Sequence, residues 1–236
     1  MKSGETLIDA YGVTVDVKLA RGQMLRVVDD ASISVGAGQS YSVSGRSGSG
    51  KTSLLSVLGV LNSDYTGHLK IMGADAASLA DKELSLLRAR HLGFVFQSYS
   101  LVPHLTALDN VALPCTHARV KRSVALSWAK QALADVGLAG HFSAKPVQLS
   151  GGEQQRVAIA RAIVNHPRVV LADEPTGALD TDTGAAVIDL LTARVMERDI
   201  ALVVVTHDPD IARLCANHYQ MDHGRLREEP HSKESA

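Results

Sequence analysis

The chain has 236 residues, with 24 Lys and Arg against 25 Asp and Glu and a formal charge of -1. That length holds one well-buried α/β core with room for an inserted lobe, and it does not demand two domains. The balanced charge excludes the basic footprint of a dedicated nucleic-acid binder. The two cysteines, Cys115 and Cys215, lack metal-ligand spacing and read as buried thiols of a reducing compartment.

Residues 6 to 36 mix Leu, Ile and Val with turn signals. Three short strands are expected there, at Leu7–Ala10, Met24–Val28 and Ala31–Val35, as an antiparallel sheet. After the turn Gly36-Ala37-Gly38, Ser40–Ser44 alternates as a strand and runs into Gly45-Arg46-Ser47-Gly48-Ser49-Gly50-Lys51-Thr52. This stretch satisfies G-x-x-x-x-G-K-[ST], and Leu54, Leu55, Val57, Leu58 and Leu61 come after it at helical spacing. Strand, glycine loop and helix is the order a phosphate-binding loop requires. Its glycines let successive N–H groups turn inward as an anion nest, and the helix end adds its positive dipole. Lys51 is placed for the β- and γ-phosphates and Thr52 for Mg²⁺, with residues 45 to 53 as the nucleotide cradle, Ser53 included.

Gly67–Gly73 reads as a further strand, residues 81 to 90 as a short charged helix, and His91–Gln97 as a strand running into a loop. Pro103 and Pro114 are expected to break the stretch after Gln97. Residues 119 to 138 then carry Val120, Val124, Trp128, Leu133 and Val136 on a helical period, with Trp128 read as core packing. The cluster Arg119, Lys121 and Arg122 reads as a solvated face. In Leu149-Ser150-Gly151-Gly152-Glu153-Gln154-Gln155-Arg156 the Ser150 and Glu153 pair is a capping box, and the glycines beside it can form a second anion cradle.

Arg168–Glu174 is an apolar run ending in two acids, which suits a central parallel strand covered on both faces. Asp173 and Glu174 would emerge at the carboxyl edge, where ligands of such sheets bind, with Asp173 as the Walker-B carboxylate for Mg²⁺. Ile200–His207 repeats the pattern with a terminal His placed for a γ-phosphate. Met221–Arg225 reads as the last turn, and the polar tail after Leu226 is expected to fray. No apolar run is long enough to cross a bilayer, and residues 1 to 5 lack a signal peptide's hydrophobic segment, so a soluble chain is expected.

Phosphate loop, Leu-Ser-Gly-Gly-Glu-Gln, apolar strand with Asp-Glu, and strand-His stand in one order over residues 6 to 226. Together they closely resemble the ATP-binding subunit of ATP-binding-cassette (ABC) transporters. The resemblance implies an α/β P-loop NTPase fold: a mixed central sheet, an antiparallel β subdomain and an inserted α-helical subdomain. The whole chain would be one such domain, with a core at about 6–96 and 166–226, a helical subdomain at 97–165 and a polar tail at 227–236. It implies ATP and Mg²⁺ as ligands, with Gln97 matching the Q-loop glutamine that senses metal and water. Ser150, Gly151 and Gly152 match the signature loop that reaches the γ-phosphate of a partner subunit's nucleotide. Asp173 matches the metal-coordinating acid, Glu174 the general base, Ala178-Leu179-Asp180 the D-loop and His207 the switch histidine.

Ser98–Val111 and Asp173–Asp180 are similar to the MacB/LolD-like branch, which exports macrolides, peptides or haem or releases lipoproteins. The resemblance implies a head-to-tail pair of identical chains, an integral permease partner and a peripheral place on the cytoplasmic face of the membrane, with no nucleic acid. In one respect the chain departs from the family: the adenine-stacking aromatic would fall near Val17 or Lys18, and Tyr11 lies too far upstream. A cell-division relative that regulates a membrane partner shares these features. DNA-repair ATPases share the signature, but no sustained heptads lie between phosphate loop and signature here.

Overall fold

In the computed structural model residues 4–19 and 22–229 are described. The chain divides into two compact units, one reaching to Leu79 and resuming at Ala201, the other spanning Ala80–Ile200.

The first unit holds two sheets. Strands β1 (Thr6–Lys18) and β2 (Met24–Gly36) form a long antiparallel hairpin, extended by β4 (Thr66–Ile71) and β5 (Ala74–Asp75) in the order β2-β1-β4-β5. The hairpin therefore has two long strands where three short ones are expected from the sequence. Asp29-Asp30 looks like a break, but the ladder absorbs it. Between the pairs Val13↔Ala31 and Val15↔Val28 the second strand carries one residue more than the first, and Asp30 takes φ 54 there. That is a bulge, which bends the strand without ending it.

The second sheet of this unit runs in the order β10-β9-β3-β8. Strand β3 (Ser40–Ser44) lies between β8 (Ala201–Thr206) and β9 (Asn217–Asp222), parallel to both. All six residues of β8 are buried, as a parallel strand covered on both faces requires. Strand β10 (Arg225–Glu229) pairs antiparallel with β9, so residues 227–229 of the tail expected to fray are held in a ladder, while residues 230–236 lie outside the described residues. Its polar side chains suit an edge strand that needs no core face. Helices α1 (Lys51–Leu58) and α7 (Pro209–Arg213) complete the unit.

In the second unit β6 (Leu92–Val95) and β7 (Val169–Asp173) pair in parallel, with α2 (Asp81–His91), α3 (Ala107–His117), α4 (Arg122–Asp135), α5 (Gly151–Ile163) and α6 (Thr181–Glu197) around them. Pro114 lies inside α3 instead of ending it. Only its own N–H bond is lost, and its carbonyl still accepts from Ala118 N at 3.0 Å. Helix α4 is shorter than residues 119 to 138, and its buried stripe is Ala125, Ala129, Ala132 and Leu133, whereas Val124 is exposed. Alanines at these positions let α3 and α5 come close, and packing of small residues outweighs the hydrophobicity of valine. Trp128 is half-buried and meets His166 edge-on at 5.3 Å. Arg119, Lys121 and Arg122 are exposed, as expected of a solvated face.

Candidate functional site

In the first unit the loop after β3 carries two glycines that no other residue can replace without a shift. Gly45 has φ 151, and a Cβ there would stand 2.2 Å from the Met221 carbonyl oxygen. Gly50 has φ 105, and its Cβ would stand 2.0 Å from the carbonyl of Val27. Both demands are steric and come from neighbouring backbone. Gly50 caps α1, whose first turn contains no acid, so the positive helix end is not quenched.

Lys51 is buried, and its Nζ donates to the carbonyls of Gly45 at 2.8 Å and Arg46 at 3.0 Å. The ammonium is thus held at the mouth of the loop it belongs to. Arg46, Ser47 and Gly48 are exposed, as is Thr52, and Ser53 is half-buried. The hydroxyl of Ser49 is buried without a hydrogen-bond partner. A buried orphan hydroxyl inside an anion nest is a group with bonding capacity to spare.

The same loop is braced from the far end of the chain. Gly224, in the turn between β9 and β10, donates to Ser49 O at 3.0 Å and accepts from Asp29 N at 2.8 Å. Arg225 Nε meets Asp29 Oδ2 at 2.9 Å. His207 comes directly after β8 and is exposed; the register Ser44↔Thr206 puts it at the same sheet edge as Gly45. Sequence reasoning missed Val27, Met221 and Gly224, because their contribution is a contact of backbone with glycine and leaves no motif.

In the second unit the register Val95↔Ala172 places Gln97 and Glu174 each two residues past a paired position, at one carboxyl edge. Asp173 ends β7 half-buried, and Glu174 is next with φ 44. A Cβ on Gly177 would stand 2.8 Å from Gln97 Nε2, so the exposed Gln97 lies against the loop that Glu174 begins. Gln155, fully buried on α5, donates its amide to Pro175 O in that same loop. The loop is tied from two sides.

The capping box of α5 is present as expected. Ser150 N and Oγ donate to Glu153 Oε2 at 2.8 and 3.0 Å, and Glu153 N donates back to Ser150 Oγ. These bonds hold the Glu153 carboxyl below the usual range. Gly151 has Tyr99 Oη 2.9 Å from where its Cβ would be, and Gly152 has Thr183 Cγ2 at 2.5 Å. Tyr99 also donates to Ala178 O at 3.4 Å. Tyr99 and Ser100 both have positive φ, and their carbonyls accept from Arg161 of α5 at 2.7 and 2.6 Å. The start of α5, the segment after Gln97 and the loop 174–180 thus meet within this unit. Tyr99, Gln155 and Arg161 make the meeting, and sequence spacing alone did not single them out for it.

Among the described residues no three His, Cys, Asp or Glu side chains cluster as a metal cage, and no helix is long and apolar enough to cross a membrane. The chain matches the family model for the ABC transporter over residues 28–177. It is 46% identical over 203 residues to the lipoprotein-releasing system ATP-binding protein LolD of Bordetella pertussis, covering 86% of this chain and 88% of that one. It is 41% identical over 231 residues to the macrolide export ATP-binding/permease protein MacB of Rhodopirellula baltica, covering 97% of this chain but only 34% of that longer protein. The fold superposes on the ATP-binding cassette MJ0796, solved as a dimer in a post-hydrolysis state bound to ADP and Pi. The TM-score is 0.86 at 36% identity, over 94% of this chain and 98% of that one. The chain belongs to the ABC transporter family.

Proposed function

We propose that this chain binds and hydrolyses MgATP as the ATPase subunit of a membrane transport system of the MacB/LolD-like type. The observation that carries the reading is the phosphate loop: two glycines with no room for a side chain, a buried Lys51 at its mouth and an unquenched helix end. Phosphoryl transfer to water needs positioning and charge neutralisation more than covalent help, and such a loop supplies both. Residues 45 to 53 cradle the triphosphate, with Lys51 at the β- and γ-phosphates. Mg²⁺ fits the donor set: Thr52, Gln97 and Asp173 offer hard oxygens, and an ion that arrives with phosphates needs only one or two protein carboxylates. When bound, it neutralises charge on the phosphate oxygens. Glu174 orients and polarises the attacking water, and His207 steadies the γ-phosphate.

Ser150, Gly151 and Gly152 are assigned to the nucleotide held by a second copy of the chain, so two identical chains close head to tail on two nucleotides. The dimeric state of MJ0796 supports this. Closure driven by the γ-phosphate is a population shift, and its reversal after hydrolysis moves the permease. The loop from Gln97 to about residue 113 receives the permease, which places the chain peripherally on the cytoplasmic face of the membrane. We take residues 97–165 as the helical subdomain and the remainder up to residue 226 as the core. The cargo class is that of the relatives: a drug, peptide, haem or lipoprotein leaving the membrane.

The test has two arms in the assembled transporter. Glu174→Gln is expected to keep ATP affinity and lose turnover by two orders of magnitude or more, about the share carried by general-base catalysis. Lys51→Ala is expected to weaken both. Normal hydrolysis by Glu174→Gln, measured as phosphate release, would remove Glu174 from the role of base.

A further inference from the structure

Glu174 occupies a backbone conformation that both its own residue type and its neighbour disfavour. Its φ of 44 lies in the left-handed region, and the residue before a proline is steered toward extended backbone. Such a conformation persists only where the surroundings over-determine it. On the N-terminal side Asp173 ends β7, which is paired with β6. On the C-terminal side Gly177 N donates to Glu174 O at 3.0 Å, and Gln155 Nε2 donates to Pro175 O. The proline ring already fixes φ at Pro175, so holding its carbonyl fixes the remaining dihedral as well.

Gln155 stands apart from the rest of its helix. Among the described residues of α5 every other buried position is glycine or apolar, whereas Gln155 is fully buried with an amide. A carbonyl only accepts, so the amide nitrogen is the end that faces Pro175. The other end, Oε1, is buried without a partner. An amide that pairs one end and orphans the other adds little to stability, because the unpaired acceptor offsets the bond gained. An apolar side chain of similar size would serve folding as well. Gly152 and Gln155 are three residues apart and share one face of α5. Gly152 lies against Thr183 at the start of α6 and Gln155 against Pro175, so this face carries both ends of the loop that begins at Glu174.

Resting on the assignment of Glu174 as the base, we propose that Gln155 is a positioning residue for hydrolysis. Its amide fixes the Pro175 peptide against α5 and thereby sets the direction in which the Glu174 carboxylate meets the attacking water. Fully buried, Gln155 acts through Glu174 alone. The phosphates are left to residues 45 to 53, so its contribution is to turnover and not to nucleotide affinity.

Gln155→Met keeps the length of the side chain without a donor, and Gln155→Leu removes the donor with a different shape. Phosphate release by the assembled transporter, binding of a fluorescent ATP analogue and thermal melting are measured for both. In each, kcat is expected to fall about tenfold to a hundredfold, with KM for ATP and analogue affinity within about twofold of wild type. The melting temperature is expected to stay within about 3 °C, since an unpaired Pro175 carbonyl replaces an unpaired Gln155 Oε1. Added to Glu174→Gln, Gln155→Met is expected to lower the residual turnover by less than about twofold, because nothing is left to position. Full kcat in both variants, with Glu174→Gln inactive, would overturn the proposal and leave the base in place. An equal loss of nucleotide affinity, or melting lowered by more than about 10 °C in both, would assign Gln155 to folding and overturn it too. So would a full further loss on the Glu174→Gln background. Normal turnover by Glu174→Gln would remove the base reading and this proposal with it.

Discussion

Gly48 and Gly50 both adopt positive φ in the phosphate loop, yet they answer to different constraints. A Cβ on Gly48 meets nothing within 4 Å, so an alanine there carries only the cost of a left-handed backbone, about 1 kcal/mol. A Cβ on Gly50 runs into Val27 O at 2.0 Å, and a carbonyl held in a strand cannot move aside. Gly50→Ala is expected to cost about 2–4 kcal/mol in urea unfolding, with loss of ATP binding even in the fraction that folds. Gly48→Ala should remain close to wild type in stability. Equal stability losses for the two variants would show that conformation alone, without the contact, sets the requirement for glycine. The motif names both positions, and only the structure separates them.

Helices α5 and α6 begin with the same device, a side-chain cap whose acid has a depressed pKa. Glu153 is lowered by the two donors of Ser150, and Asp180 by the N–H and hydroxyl of Thr183. A carboxyl with a folded pKa below its unfolded value contributes stability that is present above the unfolded value. That contribution is lost as pH falls through the folded one. With ordinary values of 4.5 and 3.8, the loss belongs below about pH 4.5. Glu153→Gln and Asp180→Asn keep a capping group but have no proton to gain. Each is expected to flatten the acid side of a plot of urea midpoint against pH between 5 and 3, and unchanged acid sensitivity in both would remove these caps as its source. The α5 cap was legible from Ser150 and Glu153 because a capping box is a local rule written in adjacent residues. The buried face of α4 was legible only at Leu133, since alanines at the right spacing carry no hydrophobic signal until α3 and α5 are placed beside them. The β1–β2 hairpin escaped for a related reason: a bulge at Asp30 depends on pairing with a strand already formed.

At the scale of the whole chain, the phosphate loop near one end is built with residues from near the other. Strand β3 has β8 and β9 as its neighbours, and Gly45 rests on Met221. The motif of residues 45 to 52 was readable from its own glycines, but this dependence on distant sequence was not. Contacts of backbone with glycine come from topology and not from residue type. The turn at Gly224 is the part of this architecture that can be removed while β3 keeps both strand neighbours. A chain ending at Asp222 retains β9 and Met221, but it loses the edge ladder of β10 on β9, the bond from Gly224 N to Ser49 O, the bond from Asp29 N to Gly224 O, and the Arg225–Asp29 pair. Each backbone bond is worth about 1 kcal/mol, and the exposed ion pair adds less. One of the two bonds acts on the loop itself, by fixing the carbonyl of the residue whose hydroxyl is orphaned. The truncated chain is therefore expected to melt a few degrees lower and to bind a fluorescent ATP analogue about fivefold to tenfold more weakly. The two effects should part when Arg225→Ala is made in the full chain, because Gly224 then keeps its bonds and affinity should stay within about twofold. Wild-type affinity in the truncated chain would mean that the loop is held by Val27 and Met221 alone, and that the last hairpin serves stability without shaping the site.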